Sequence, residues 1–546
     1  MTRLPIPSAV LILACTFLAA CGGETAIDKP VANNPAPQQP GTPGTTPAPA
    51  PTPTPVPATY YQTKTPYLPQ QDASTYEAPP AGYAPVYTEL VARHGSRGLS
   101  GFKYDGAIYD MLQKADADGA LTALGQQLKA DAFAMMKANA LLGYGVSGIS
   151  TPGYGNLTQA GIREHQQLAV RLLQRLPTLF DSPGRHIVVV NSGQDRAVDS
   201  STYFTSSLVK TRPALAAAIT LPPAPANYPQ GAPAAQPAGT NRFLLYFHSL
   251  KAATDLVTVT NDPYYETYQS SLAYQAYGSN ATVDAKLNAI MSAPAAVDVA
   301  QTVLAGLLKP DFIAKLGSPG YTFSNTGTYT FASQDGKFSN RLKGDGKTKI
   351  ASPVDAVNVL YNLLQVAPAM SAETGGVTLE KYIAAPQAEY LAYLQDAADF
   401  YQKGPGIKEY NPVTYKMAKI LRDDFFGEVD AISRGDQTNA AKLRFTHAEI
   451  VIPFASIMNL KNVFVPVPQA QTYSYANNLW RGDSVSPMAA NMQWDVYSNG
   501  SRLLVKMLYN ERETDFQAEC DGAKVAPNSH FYDYTQLKRC YGYSYS

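Results

Sequence analysis

Apolar runs alternate with amphipathic segments between residues 83 and 211, and this alternation restricts the fold more than any other feature of the chain. The run "YAPVYTELVARHG" is rich in β-branched and aromatic residues, which predicts a strand ending near Gly95. Residues 120–142 and 157–180 then repeat apolar residues every three or four positions, which predicts two helices, the second capped by Thr158. A second apolar run begins at His186 and leads into another helical segment. Strand, helix, strand and helix in this order predict an α/β core with a parallel sheet.

The middle of the chain has a different pattern, and it divides the core in two. Most of it is helical in periodicity, with one polar stretch near 320–347 that suits a hairpin. Beyond it, "LRFTHAEIVIPFASIMNL" returns to a strand followed by a helix, and "SRLLVKMLYNE" predicts a late strand. A chain of 546 residues is long enough for such an insertion. We predict core segments at 59–240 and 441–546, separated by a large, mostly α-helical insertion at 241–440.

The N-terminus predicts export and lipidation. Arg3 precedes an apolar stretch over residues 9–20, which is shorter than the roughly 20 residues needed to cross a bilayer, so residues 1–20 are predicted to be a signal peptide. The sequence "LAAC" resembles the bacterial lipobox, whose cysteine is lipidated, and this predicts lipidation of Cys21. The resemblance places the protein in a bacterial cell envelope, with Gly22 favouring the outer membrane and either its periplasmic or its surface face. The alternative is an ordinary signal peptide in which Cys21 is incidental.

Residues 21–58 predict a tether between that anchor and the folded body. They consist mainly of Pro, Ala and Thr, with almost no large apolar side chains that could form a core. Prolines favour extended polyproline II, which spans about 3 Å per residue. Of the cysteines, only Cys520 and Cys540 then remain, and an exported pair at this spacing predicts a disulfide closing a C-terminal loop.

Basic and imidazole side chains follow three of the predicted strands. Because the carboxyl ends of parallel strands meet at one edge of a sheet, we expect these side chains to lie together. They are Arg93, His94 and Arg97 after the first strand, Arg196 after the second, and His447 with Glu449 after "LRFT". Lys+Arg and Asp+Glu are equal at 43 each, so no basic surface for nucleic acid is predicted. The arginines therefore require a local anion, either a structural carboxylate or a substrate phosphate.

Phosphomonoester cleavage uses such a set of groups. Arginines hold phosphate oxygens with forked donors and stabilise their charge in the transition state, in place of a metal. Neighbouring cations lower the pKa of His94, which leaves a neutral imidazole available as a nucleophile. Glu449 is the candidate donor of a proton to the leaving oxygen. The sequence has no closely spaced ligand cluster that predicts a metal site.

These motifs resemble those of a known family. "RHGSRGL" is similar to the signature Arg-His-Gly-x-Arg-x-Pro of the histidine phosphatase superfamily, branch 2, with Leu99 at the proline position. The segment "LTQAGIREHQQLAVRLLQRL" resembles its Leu-Thr-x-x-Gly helix, and "SGQDRAVDSSTYF" resembles its third-arginine segment. "FYQKGPG" and the later "HAE" resemble the multiple inositol polyphosphate phosphatase group, which includes phytases of the histidine acid phosphatase type.

The resemblance implies a fold, a chemistry and a set of roles. The fold is a phosphoglycerate-mutase-like parallel sheet with helices on both faces and a helical insertion. The chemistry is hydrolysis of phytate or related inositol phosphates through a phosphohistidine, with no metal and no cofactor. The implied roles are His94 as nucleophile, Glu449 as proton donor, and Arg93, Arg97, Arg196 and His447 as phosphate ligands, with Lys103 as a possible further substrate-binding cation.

Two other functions remain open from the sequence. One is an acid phosphatase acting on sugar phosphates, phosphoproteins or other phosphomonoesters. The other is a catalytically silent protein that binds phosphorylated ligands. The presence of both His94 and Glu449 favours an enzyme, because a binder needs only the arginines. The remaining histidines, His165, His186, His248 and His530, are predicted to be structural.

Overall fold

The computed structural model describes residues 60–181, 184–224, 236–461 and 463–543, together with the backbone of residues 24–25. The predicted signal peptide, Cys21 and all of the tether except residues 24–25 lie outside these ranges, and the calls made on them stay predictions. Within the described ranges, no single helix is long and apolar enough to cross a membrane. One bent pair of helices, Ala281–Met291 with Pro294–Ala305, meets the criterion by length and composition alone.

The core is an eight-stranded sheet. Its strands are β1 Ala84–Arg93, β2 His186–Asn191, β3 Ile219–Thr220, β4 Asn439–Thr446, β5 Asn491–Ser498, β6 Leu503–Tyr509, β7 Arg512–Glu513 and β8 Phe531–Asp533. Their order is β7-β6-β5-β1-β4-β2-β3, with β8 also paired to β6. Strands β1, β4, β2 and β3 run parallel, whereas β5 pairs with β1 in the antiparallel direction and begins an antiparallel extension. The predicted α/β class is therefore confirmed, with an antiparallel side that was not predicted.

Helices cover both faces of this sheet and build a second, mostly helical region. The longer ones are α1 Tyr104–Ala117, α2 Ala123–Ala140, α3 Gln159–Arg175, α4 Asp195–Thr211, α5 Tyr265–Tyr277, α6 Ala281–Met291, α7 Pro294–Ala305, α8 Pro353–Val366, α9 Ala385–Gln402, α10 Lys419–Ser433 and α11 Ala448–Ile457. Short helices lie at Arg242–Leu245, Ala252–Asp255, Pro310–Lys315, Ser371–Thr374, Gly482–Val485 and Tyr534–Cys540. Minor strands pair Glu24–Thr25 with Tyr144–Gly145, Phe323–Ser324 with Lys349–Ile350, and Thr328–Ala332 with Ser339–Lys343.

The two faces of the sheet are buried by different helices. On one face, α3 and α4 pack their apolar side chains, such as Leu172 and Phe204, against Val189 and Phe445. On the other face, α10 and α11 pack against β1, with Trp494 of β5 in ring contact with α10. Burying both faces accounts for the nearly continuous apolar runs in the parallel strands.

The helical region includes segments from both sides of the predicted boundary at residue 240. Helices α1 and α2, which lie within the predicted core segment 59–240, pack on each other, and α1 also packs on α8 from the insertion. The hairpin expected near 320–347 is formed by Thr328–Ala332 and Ser339–Lys343. No finding fixes the domain limits themselves, which stay predictions.

The C-terminus is tied to the core by the predicted disulfide. Cys520 and Cys540 are bonded, with their Cα atoms 5.6 Å apart. The helix Tyr534–Cys540 also docks on α10, where the Tyr534 hydroxyl donates to the Phe426 carbonyl oxygen at 2.8 Å. The C-terminal segment is thus part of the layer that covers one face of the sheet.

Candidate active site

The ends of β1 and β4 bring two histidines together, as the sequence predicts. Arg93 is in register with Thr446, so the next residues, His94 and His447, leave the sheet side by side. The backbone N–H of His94 donates to the Thr446 carbonyl oxygen at 2.8 Å, and the centres of the two imidazole rings are 5.4 Å apart. Both rings are almost completely buried.

The loop after β1 is held in place by the start of α3. Thr158 caps α3 by accepting from the Gly161 N–H, and its own backbone N–H donates to the Ser96 carbonyl oxygen at 2.9 Å. A Cβ atom on Gly161 would lie 2.1 Å from that same oxygen, so only glycine allows this approach. Glu164 completes the attachment by accepting from both the backbone N–H and the hydroxyl of Ser96 at 2.6 Å. The Leu-Thr-x-x-Gly segment therefore positions the signature loop.

One ring nitrogen of His94, Nε2, keeps a lone pair that can act as a nucleophile. Its Nδ1 lies 2.9 Å from the Gly95 carbonyl oxygen, which can only accept, so the proton is on Nδ1 and the lone pair is on Nε2. Burial holds the pKa of His94 well below its usual range, and the charges of Arg196 and Arg93 lower it further. The imidazole is therefore neutral at ordinary pH.

Arg93 and Arg97 bond only to backbone carbonyl oxygens among the described residues, and each keeps an N–H donor that has no acceptor. Arg93 donates through Nη1 to the carbonyl oxygens of Thr63 and Ser486 at 2.5 and 2.6 Å, and Arg97 donates to that of Gly98 at 2.7 Å. The Nε atoms of both arginines are buried without a partner, and neither guanidinium has a carboxylate within 4.0 Å in the described ranges. Burial lowers the pKa of Arg93 to about 10 and that of Arg97 to about 9.

Arg196 provides a third cation from the first turn of α4. Burial lowers the pKa of His94 and of His447 most, and the charge of Arg196 is the next largest cause and lowers both further. Burial together with these cations holds the pKa of His447 well below its usual range. The Nε2 of His447 lies 2.8 Å from the Ser192 hydroxyl, which fixes the ring at the start of α11.

Glu449 lies in the first turn of α11 and is ionised. Its Oε1 is 3.0 Å from the Lys403 ammonium, which also contacts Asp399 at 2.9 Å. Burial opposes ionisation of Glu449, but Lys403, His248 and His447 outweigh it and hold the pKa of this carboxyl well below its usual range.

The structure adds site residues that the sequence did not identify. His248 was predicted to be structural, but its ring centre lies 6.2 Å from that of His447, and burial lowers its pKa to about 4. Burial lowers the pKa of Lys64, which precedes β1, to about 7, while Asp399 raises it and Arg93, Arg97 and Lys403 lower it, so Lys64 lies among charged groups of the site. Lys403 belongs to "FYQKGPG", so its motif was noted in the sequence without a role for this side chain.

The other histidines behave as the sequence predicts. His165 donates through Nε2 to the Arg93 carbonyl oxygen at 3.1 Å and supports the end of β1, and burial lowers its pKa to about 3. His186 begins β2, and His530 contacts Asp515 through Nδ1 at 2.9 Å. Their contacts are structural.

Leu99 and Lys103 lie within and just after the signature loop. The backbone N–H of Leu99 donates to the Asn139 Oδ1 at 2.7 Å, a bond that the proline usual in the family cannot make. Lys103 is partly buried and precedes the first turn of α1, and its predicted role in substrate binding stays a prediction.

Across the described part of the chain, no group of three or more His, Cys, Asp or Glu side chains is arranged to hold a metal ion.

A family model matches most of the chain. The model of the histidine phosphatase superfamily (branch 2) matches residues 87–510, a range that contains every residue predicted from the sequence to be catalytic or to bind phosphate. The chain belongs to this family. It is a phosphoric monoester hydrolase of the histidine acid phosphatase and phytase type.

Solved structures give more detailed comparisons. The multiple inositol polyphosphate phosphatase of Bifidobacterium longum is 32% identical over 88% of this chain and 97% of its own, with TM-scores of 0.74 in complex with inositol hexasulfate and 0.75 in complex with phosphate. The phytase from D. castellii is 13% identical over 88% of this chain and 84% of its own, and its TM-score of 0.55 supports the fold alone. No curated protein matches the chain in sequence.

Proposed function

We propose that this enzyme hydrolyses inositol polyphosphates, phytate among them, through a phosphohistidine at His94 and without a metal ion. The observation that carries the proposal is a buried imidazole with its Nε2 lone pair available, beside Arg93 and Arg97, which have no carboxylate within 4.0 Å among the described residues. Two buried guanidinium groups in this state suit a substrate phosphate better than a structural carboxylate. The Bifidobacterium longum relative in complex with inositol hexasulfate supports the choice of substrate class.

In the first step, the Nε2 of His94 attacks phosphorus and the bond from phosphorus to the ester oxygen breaks. Glu449 gives its proton to the leaving alkoxide, and the arginines stabilise the charge on the three remaining phosphate oxygens. In the second step, water attacks phosphorus, the bond from phosphorus to the Nε2 of His94 breaks with its electron pair returning to Nε2, and the Glu449 carboxylate takes a proton from the water. Inorganic phosphate then leaves, and His94 returns to its neutral form.

Glu449 must gain a proton before it can act as an acid. It is ionised in the empty site because Lys403, His248 and His447 favour its charge. A phosphate dianion that binds among the arginines reverses part of this field and raises the pKa of nearby acids. We infer that Glu449 becomes protonated as substrate binds, which couples binding to catalysis.

The first experiment is phosphate release from phytate and from p-nitrophenyl phosphate by the full chain in excess chelator. We expect release that survives the chelator and disappears in His94→Ala. His530→Ala, which removes an imidazole near the C-terminus, is the matched control and should retain activity. Release that requires a metal, or that persists in His94→Ala, would contradict the mechanism. Phytate that binds without being hydrolysed would identify a binding protein instead.

We also propose that the enzyme acts in a bacterial cell envelope, held there by lipid on Cys21. The support is the lipobox-like "LAAC" and the Pro-rich tether in the sequence. Cys21→Ser should move the protein from the membrane fraction to the soluble fraction and leave its activity intact. A wild-type protein already in the soluble fraction would refute the anchor.

A further inference from the structure

His248 lies in a short turn whose two flanks are fixed by the fold. Before the turn, the Leu245 carbonyl oxygen accepts from the Thr446 hydroxyl at 2.6 Å, at the end of β4. After the turn, the Leu250 carbonyl oxygen accepts from the Nε2 of Gln275 at 2.9 Å, in α5. The backbone of His248 is therefore held between the sheet and α5.

The side chain of His248 lies beside the groups that begin α11. The turn Phe247–Ser249 packs against α11, whose N-cap is His447 and whose first turn carries Glu449. The ring centre of His248 is 6.2 Å from that of His447, and the ring of Tyr246 contacts both, at 4.5 Å from His248 and 5.4 Å from His447. Burial affects the pKa of His248 most, and Glu449 is the charged group that acts on it next most strongly. His248 therefore lies next to the proposed proton donor.

One ring nitrogen of His248 is open to a ligand. The Nδ1 atom is buried without a hydrogen-bond partner. The Nε2 atom has no partner among the described residues either but, unlike Nδ1, it is not fully buried. Because buried N–H groups without an acceptor are rarer in proteins than buried acceptors without a donor, the neutral ring carries its proton on Nε2. Burial lowers the pKa of His248 to about 4, so this ring is an uncharged N–H donor at ordinary pH.

A donor beside the proton donor meets the alcohol that leaves. Glu449 must face the ester oxygen in order to protonate it, so its neighbours face the carbon skeleton that carries this oxygen. In an inositol polyphosphate, each carbon next to the cleaved ester carries another oxygen, as a hydroxyl or as a phosphate. Both groups accept a hydrogen bond from a neutral N–H. An aryl ester such as p-nitrophenyl phosphate has no oxygen at these positions.

We propose that His248 donates from Nε2 to an oxygen on the carbon next to the cleaved ester, and so determines specificity for phosphate esters of polyols. The proposal rests on the proposed function, because it takes His94 as the nucleophile and Glu449 as the acid. It identifies the substrate class by its chemistry: esters whose alcohol carries oxygen on neighbouring carbons, with or without further phosphates.

The test compares kcat/KM for phytate, glycerol 2-phosphate and p-nitrophenyl phosphate in the full-length enzyme. His248→Phe keeps an aromatic ring against Tyr246 and removes the donor. It should lower kcat/KM for phytate and for glycerol 2-phosphate about three- to tenfold, typical of losing one hydrogen bond, and change that for p-nitrophenyl phosphate less than about twofold. His248→Leu is a second variant without the donor and should show the same pattern. His248→Gln, whose amide keeps an N–H at a similar distance from the backbone, should retain more of the activity on both polyol esters.

His186→Phe is the matched control. His186 is also partly buried and also has a buried Nδ1 without a partner, but it begins β2, at the end of that strand opposite to the active site. His186→Phe should leave kcat/KM for all three substrates unchanged. The ratio of two substrates in one sample does not depend on how much of the enzyme is folded, so a partly unfolded variant still gives a result.

The pH dependence provides a second readout. Because kcat/KM reports the free enzyme and His248 is neutral there above about pH 4, the loss of phytate activity in His248→Phe relative to p-nitrophenyl phosphate should be the same at pH 5.5 and at pH 7. The charged and titratable groups around His248 are Glu449, Lys403, Arg196, Arg242, His447 and Tyr246. Effects that these groups exert on both substrates equally cancel in the ratio. A relative loss that disappears at pH 7 would mean that the ring acts as a cation and would refute the neutral donor.

Three further outcomes would overturn the proposal. Equal losses on all three substrates in His248→Phe would mean that His248 acts through His447 or Glu449. No loss on any substrate would mean that His248 does not contact the substrate. A loss on phytate without one on glycerol 2-phosphate would mean that the donor requires a second phosphate, which refutes the polyol class.

Failure of the proposed function gives a different result. A wild type that hydrolyses glycerol 2-phosphate but not phytate would refute inositol polyphosphates as the substrate class. The comparison of glycerol 2-phosphate with p-nitrophenyl phosphate would still test the donor on His248, so the two failures are distinguishable.

Discussion

At the scale of single residues, the proposed proton donor, Glu449, is the least expected part of the site. Glu449 must carry a proton to act as an acid, yet Lys403 lies 3.0 Å away and favours its ionised form. Asp399 holds Lys403 from the other side at 2.9 Å. The lysine therefore sets the pH at which Glu449 can act.

Removing the charge of Lys403 should shift the pH dependence of the reaction. Activity falls as pH rises through the pKa of Glu449, and the loss of a neighbouring cation raises that pKa. Lys403→Met should therefore move the basic limb of the kcat–pH profile to higher pH, while Lys403→Arg should leave it in place. The measurement is kcat for phytate between pH 3 and 8. A basic limb unmoved in Lys403→Met would show that Glu449 does not set it.

The sequence predicted that side chains at neighbouring strand ends lie together, and the structure places the ring centres of His94 and His447 5.4 Å apart. Arg93, His94 and His447 could be placed because parallel strands bring their carboxyl ends to one edge. Lys64, Lys403 and His248 could not, because their segments reach the site only through long-range packing. Leu99 shows a third case, since its departure from the family signature makes sense only once Asn139 is seen to accept its N–H.

At the scale of elements, the site depends on how closely α3 approaches the signature loop. Gly161→Ala would add a Cβ atom 2.1 Å from the Ser96 carbonyl oxygen and push the loop away from the helix. We expect a loss of about 1–3 kcal/mol in unfolding free energy, typical of overpacking, and a clear fall in kcat because the loop carries His94. Urea denaturation and phosphate release measure the two effects.

A second glycine supplies the matched control for that substitution. Gly427 lies within α10, and a Cβ atom there would meet nothing within 4 Å. Gly427→Ala should leave activity unchanged and raise stability by up to about 1 kcal/mol through helix propensity. If Gly161→Ala behaved in the same way, the loop would not depend on this contact.

Strand β5 is the core strand whose burial the sequence leaves open. Polar and apolar residues alternate from Asn491 to Val496 in "NMQWDVYS", a pattern of a strand with one exposed face, and yet nearly all of β5 is buried. The polar face is buried because Asp495 pairs with Arg175 of α3 at 2.8 Å, and Arg175 also donates to Gln493. A pairing between distant elements cannot be seen in a local pattern. The parallel strands β1 and β4 were predicted from their apolar runs, although they too bury a charged pair, Glu89 and Arg444, 2.9 Å apart.

At the scale of the whole molecule, the core and the helical region share one continuous hydrophobic cluster. Helices α1 and α8 pack together although one precedes the sheet's second strand and the other lies in the insertion. The active site draws His94 from the sheet and Lys403 from the end of α9. The insertion therefore supplies part of the catalytic site and not only a cover for it.

The C-terminal disulfide should stabilise the molecule without affecting its chemistry. Tyr534 and Lys538 attach the C-terminal helix to α10 independently of the bond, at 2.8 Å from the Phe426 carbonyl oxygen and 2.7 Å from Asp430. Replacing both cysteines with alanine should therefore leave the folded positions intact. Closing a loop of this size restricts mainly the unfolded chain, so the unfolding free energy should fall by about 3 kcal/mol with kcat unchanged.

Urea denaturation of the double variant and of the reduced wild type measures this effect, and the two should agree. Agreement would show that the loss arises from the bond and not from the new alanines. A fall in kcat at unchanged stability would instead mean that the bond holds the layer behind the sheet in an active arrangement. That layer includes α10, which packs on β1, the strand that carries His94 at its end. The comparison therefore separates a restraint on the unfolded chain from a restraint on the site.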